Sequence, residues 1–183
     1  MKKIFGFVFF CLMFVCSCET NTSEKYSNQG MQNDTNSWKK YFNQGIEKAK
    51  LKDHKGAYDD LSMAIKLRPN DANLYLNRGN IMSEFNFYAY AIGDYDMAIK
   101  LNPKDAQIYF KRGVMKDRLE NYHGALDDYS KAIELNNDFA DAYFNRGGIK
   151  YFFKDEKGAC LDWNKASELG KSKAKEYILK VCN

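Results

Sequence analysis

The sequence predicts an all-α solenoid: stacked helix pairs closed by one further helix. Three observations predict it. Glycine returns every 34 residues, at Gly45, Gly79, Gly113 and Gly147, and alanine keeps the same step at Ala57, Ala91, Ala125, Ala159 and again at Ala64, Ala98, Ala132, Ala166. A tyrosine column (Tyr41, Tyr75, Tyr109, Tyr143) and a leucine or aromatic column (Leu61, Tyr95, Tyr129, Trp163) run in the same register, at spacings that suit helix faces. Only two prolines occur in 183 residues, too few for a turn-rich β-sandwich. With 45% hydrophobic residues the chain can bury a core, so general disorder is excluded.

Residues 1–17 read as a leader. Lys2 and Lys3 give a positive start, and Ile4 to Val15 is an unbroken apolar run. Such a run is too short for a spanning helix, which needs about 20 residues, and suits the apolar part of a secretion signal. Val15-Cys16-Ser17-Cys18 resembles a bacterial lipobox: an aliphatic residue, a free position, a small residue and the cysteine that takes the lipid. The resemblance implies cleavage before Cys18 and lipid on its sulfur and new amine, hence a stable anchor in a bacterial envelope membrane. Which membrane and which side stay open. Removing 1–17 leaves 26 basic and 24 acidic residues, so net charge gives no steering role and nucleic acid is excluded as a partner. Residues 18–36 are rich in Asn, Thr, Ser and Gln and read as the lipidated cysteine followed by a flexible tether.

Four units follow within 37–171, at about 38–71, 72–105, 106–139 and 140–173. The small Gly and Ala columns let two helices approach closely. Asp71 and Asp105 precede helices as N-caps, and Pro69 and Pro103 fall between helices, where a missing N–H costs little. The pattern resembles the tetratricopeptide repeat (TPR), a 34-residue helix-turn-helix, in the variety carrying Tyr75-Leu76-Asn77-Arg78-Gly79 and Tyr143-Phe144-Asn145-Arg146-Gly147. It departs from that pattern at Gln44, Ser167 and Lys171. The resemblance implies a right-handed α-α superhelix whose first helices line a concave groove for peptides or protein segments.

Carried over column by column, the groove candidates are Asn43, Asn73, Asn77, Asn80, Gln107, Phe110, Lys111, Phe144 and Asn145. Asparagine amides both donate to and accept from a peptide backbone. The phenylalanines either hold apolar ligand side chains or pack between neighbouring first helices. A two-lysine, two-asparagine clamp for C-terminal carboxylates, known in part of the family, does not match here, because its slots never supply two cations.

Ser172 to Asn183 continues the step, with Ala174 and Tyr177 on their columns, and predicts a ninth helix that caps the last apolar face. Arg78, Arg112, Arg146 and Lys180 share one column; Asp60, Asp94, Asp128 and Asp162 share another. The predicted pairs cross unit boundaries: Asp60–Arg78, Asp94–Arg112, Asp128–Arg146 and Asp162–Lys180; pairing within each unit is the alternative, which leaves Gln44 facing Asp60 and Lys180 without a partner. Cys160 and Cys182 sit where an antiparallel cap brings chain ends together; export permits a disulfide, and two free thiols are the alternative.

Chemistry is sparse. His54 and His123 lie two units apart, too far for one metal site. No Cys-x-x-Cys pair, phosphate loop or Gly-x-Ser-x-Gly elbow occurs. The carboxylates of Asp59-Asp60 and Asp127-Asp128 point about 100° apart on a helix. The expectation is a lipid-anchored adaptor or assembly factor that binds a protein or peptide, with no enzymatic activity, metal, cofactor or small-molecule substrate. The alternative is a self-associating structural scaffold.

Overall fold

The computed structural model describes residues 36–182. The expected leader, Cys18 and the tether up to residue 35 lie outside the described residues. Among the described residues the chain forms nine helices: α1 (Ser37–Lys50), α2 (His54–Leu67), α3 (Ala72–Glu84), α4 (Tyr88–Leu101), α5 (Ala106–Arg118), α6 (Tyr122–Leu135), α7 (Ala140–Phe152), α8 (Glu156–Glu168) and α9 (Ala174–Val181). The odd-numbered helices α1 to α7 are the first helices of the four units, the even-numbered are the second helices, and α9 follows the fourth pair.

The glycine column marks where two helices of a unit come closest. A Cβ on Gly79 would stand 2.8 Å from the Tyr95 ring, one on Gly113 2.9 Å from Tyr129, and one on Gly147 2.8 Å from Trp163. A Cβ essentially never sits that close to another side chain, so glycine here exchanges helix propensity for close packing. Tyr95, Tyr129 and Trp163 are essentially fully buried, as are both alanine columns. Each second helix thus buries its large side chain against a first helix that has none at that point.

Turns repeat as faithfully as helices. Asp53, Asn121 and Asp155 cap their second helices by accepting from the backbone N–H of Gly56, Gly124 and Gly158. Asp71 and Asp105 cap α3 and α5 by accepting from the N–H of Asn73 and Gln107. Every within-unit turn contains one non-glycine residue in the left-handed region: Lys52, Asn86, Glu120 and Lys154, with φ of 60°, 63°, 59° and 66°. α4 differs from its counterparts. Phe87 stands at its cap and makes no side-chain cap bond.

The charge pairs form within units, not across boundaries. The Arg78 Nε donates to Asp94 Oδ2 at 2.9 Å, and its Nη2 to Oδ1 at 2.6 Å. Arg112 grips Asp128 the same way (2.9 and 2.5 Å), and Arg146 grips Asp162 (2.8 and 2.7 Å). The predicted pairs Asp60–Arg78, Asp94–Arg112, Asp128–Arg146 and Asp162–Lys180 are therefore corrected. Asp60 pairs instead with Lys48 at 2.7 Å, and Lys180 is exposed while Asp162 is held by Arg146 and Lys150. The cause is the glycine column. The glycine beside each arginine draws the second helix in, so that a Cβ on Gly79 would lie 3.2 Å from the Asp94 Cβ, and one on Gly113 3.2 Å from that of Asp128. The arginines do reach across the boundary, but to another column. Nη1 of Arg78 donates to the Ser62 hydroxyl (2.7 Å), that of Arg112 to Asp96 (2.6 Å) and that of Arg146 to the Ser130 hydroxyl (3.1 Å).

α9 covers the last unit. Ala174 is fully buried, and the Tyr177 ring lies 5.1 Å from Trp163 and 5.3 Å from Phe144. A disulfide joins Cys160 on α8 to Cys182 just past α9, with Cα atoms 5.7 Å apart. It fixes the end of a helix only eight residues long.

Candidate binding groove

The candidate residues on the first helices divide by what their side chains already do. Asn43, Asn73 and Gln107 are exposed. The Asn77 amide donates to the Asn73 carbonyl on its own helix (2.7 Å). Asn80 accepts from the buried Tyr95 hydroxyl (3.1 Å), and the Asn145 amide faces the Tyr129 hydroxyl at 3.5 Å. Asn80 and Asn145, from two different columns, thus each give a second-helix tyrosine hydroxyl a polar partner. Burial pushes the Tyr95 phenol up to about 12, so it stays neutral and can donate. Lys111 is half-buried on α5.

The two phenylalanines separate. The Phe110 ring lies 4.7 Å from Phe139 and 5.7 Å from Tyr129 and belongs to the packing between α5, α6 and α7. Phe144 packs edge-on to Tyr177, with the Nζ atoms of Lys171 and Lys173 5.7 and 5.9 Å from its ring centre. It also lines a cleft of about 230 Å³ between α5, α7 and α9.

That cleft is lined mainly by first-helix residues, with Tyr122 of α6 and Trp163 of α8 beside them. Asp117 of α5 forms one side; Phe144, Asn145, Gly148 and Phe152 come from α7; Tyr177 of α9 forms the far wall, and Trp163 lies behind. Gly148 opens it. A Cβ added there would meet nothing within 4 Å, unlike the neighbouring Gly147. The corresponding positions in the other units are Ile46, Asn80 and Val114, so a side chain is absent only in the fourth unit. Sequence reasoning placed Phe144 and Asn145 on this face. It missed Asp117 and Tyr177, although Asp117 departs from its own column (Ala49, Ser83, Tyr151) and could have been found that way.

A second cleft, about 270 Å³ and almost wholly apolar, lies at the within-unit turns between the first two units. His54, Lys55, Tyr58, Met82, Phe87 and Tyr90 line it. His54 stacks on Phe85 (3.8 Å) and His123 on Phe153 (5.0 Å), so each histidine packs on an aromatic of the following unit.

The family model described as TPR repeat matches residues 118–151, a window running from the end of α5 through most of α7. No curated protein matches the chain. Solved structures share the fold. A MamA protein is 22% identical, with 73% of each chain covered and a TM-score of 0.69. The first TPR of Spaghetti (RPAP3), bound to the HSP90 peptide SRMEEVD, is 23% identical over 61% of this chain and 90% of its own, with a TM-score of 0.58. A tetratricopeptide repeat protein from Parabacteroides merdae is 21% identical over 74% of this chain and 54% of its own, with a TM-score of 0.69. Together with the helix geometry these define the fold: an all-α solenoid of helix pairs, the architecture of the TPR proteins it resembles.

Proposed function

We propose that this chain is a lipid-anchored TPR adaptor or assembly factor of the bacterial envelope, holding a peptide or protein segment against its first helices. The cleft between α5, α7 and α9 carries the reading. It opens on the face that the resemblance assigns to ligands, and Gly148 at its floor serves no packing need. A helical glycine costs about 1 kcal/mol relative to alanine. A position that carries that cost without a packing reason is better explained by what the space admits. The Spaghetti domain, similar in fold and bound to an HSP90 peptide, supports a peptide-binding reading; its acidic peptide is not carried over, because the two-lysine clamp is missing here.

The anchor rests on the Lys2-Lys3 start, the apolar run and the Ser17-Cys18 junction. Incorporation of a clickable palmitate analogue in cells tests it, and Cys18→Ala should abolish the label. For the groove, a photo-crosslinking residue at Lys111 should trap a defined protein in the native envelope. The same residue at Lys66, exposed on the second helix α2, should not. Equal trapping at both sites, or none at Lys111, would refute the groove reading.

A further inference from the structure

We propose that the cleft between α5, α7 and α9 is a subsite for a basic side chain, lysine or arginine, of the segment bound in the groove. The inference rests on the groove reading and adds the chemistry of the ligand.

The charge inside the cleft is of one sign. Among its lining residues Asp117 alone is ionisable near neutral pH; the rest are aromatic rings, Asn145, Gly148 and Ile149. Asp117 is half-buried and makes no salt bridge or side-chain hydrogen bond among the described residues. By contrast, each half-buried or buried aspartate on the second helices has a cation against it: Asp60 has Lys48, Asp94 has Arg78, Asp128 has Arg112 and Lys116, Asp162 has Arg146 and Lys150. Arg118, the next residue, is exposed and only partly offsets the burial of Asp117.

The walls fit the same ligand. Rings of Tyr122, Phe144, Phe152 and Tyr177 surround the cleft at different angles: Tyr122 and Phe152 lie 4.7 Å apart and tilted by 43°, Phe144 and Tyr177 5.3 Å apart and nearly perpendicular. Ring faces attract a cation and tolerate the methylene stem that leads to it. About 230 Å³ accommodates one long side chain and little more. The lysines near Phe144 do not compete, because Lys171 is paired with Asp141 and neither lysine lines the cleft. An acidic ligand residue would meet the Asp117 carboxylate with no cation among the lining residues, so the cleft selects against it.

Titrating the detergent-solubilised, ¹⁵N-labelled full chain with N-acetylarginine methylamide tests the idea, with its neutral isostere N-acetylcitrulline methylamide and N-acetylglutamate methylamide as controls. The arginine probe should shift the Gly148 amide and the Asn145 side-chain amide and bind about tenfold tighter than the citrulline probe. Asp117→Asn should remove most of that preference. Gly148→Val should abolish the shifts while leaving the spectrum of α1 to α4 unchanged, since Val114 and Ile46 occupy this column in folded units. Equal binding of citrulline, preferential binding of glutamate, or an unchanged preference in Asp117→Asn would overturn the proposal. Crosslinking at Lys111 reads the groove separately. A cation site without a trapped partner sinks the groove, and a trapped partner without cation preference sinks the subsite.

Discussion

Two adjacent glycines on α7 have opposite roles. Gly147 faces Trp163 with no room for a methyl group, whereas Gly148 faces open space. Gly147→Ala should therefore destabilise the chain by about 1–3 kcal/mol through overpacking. Gly148→Ala should stabilise it by about 0.5–1 kcal/mol, because helix propensity is regained at no steric cost. Denaturant midpoints of the two variants check both signs. The arginine–aspartate pairs belong to the same scale. The Arg78 and Asp94 side chains are 13% and 6% exposed. Asp94→Ala strands a buried guanidinium and should cost about 3 kcal/mol. Removing the exposed Glu134 from Lys131 should cost less than about 1 kcal/mol. The partner of each arginine was the point at which sequence reading failed. Arg78 is 16 residues before Asp94 and 18 after Asp60, so spacing alone offers two neighbours. The choice is made by Gly79, whose lack of a side chain brings α4 against α3; that glycine was visible in the sequence, but its consequence for Asp94 needs the packed pair.

At the scale of elements, the left-handed turn residues and the cap helix are the places where local cost is visible. Left-handed backbone costs an L-residue with a Cβ roughly 1–2 kcal/mol. Glu120, at φ 59° in the turn between α5 and α6, is exposed. Glu120→Gly should raise stability by about 0.5–1 kcal/mol, part of the relief being lost to unfolded-state entropy; thermal or urea unfolding reads it. The helices themselves were legible because each carries the same small, aromatic and aliphatic columns at one step of 34. The turn strain was not, since Lys, Asn, Glu and Lys share no side-chain signature. α9 was legible from Ala174 and Tyr177, but its short length means that packing and the Cys160–Cys182 bond hold it rather than propensity. That bond closes a 22-residue separation, for which the chain-entropy relation gives about 3 kcal/mol. Cys182→Ser should lower stability by up to that amount and speed amide exchange in α9 first.

At the scale of the whole molecule, stability is a sum of units and their interfaces, so what happens at one end should remain largely at that end. Trp163 and Trp38 are reporters placed for this: Trp163 is fully buried beneath α9, while Trp38 sits at the start of α1 with Arg68 stacked 4.7 Å from its ring. Truncation before Ala174 removes the Tyr177 ring from Trp163 and uncovers Ala166, apolar surface that no other element can cover. The fourth unit should then unfold at lower denaturant than the first three. Tryptophan emission of the truncated chain should shift red in an early step, absent when Trp163 is replaced by Phe, while Trp38 keeps the later, main transition. A single coincident transition from both reporters would mean that the four pairs unfold as one block, and that the coupling through Arg78, Arg112 and Arg146 to the preceding units is stronger than nearest-neighbour stacking requires. The same truncation removes the far wall of the Gly148 cleft. Loss of arginine-probe binding before any loss of helicity in α1 to α6 would therefore tie the cap to ligand binding as well as to solubility.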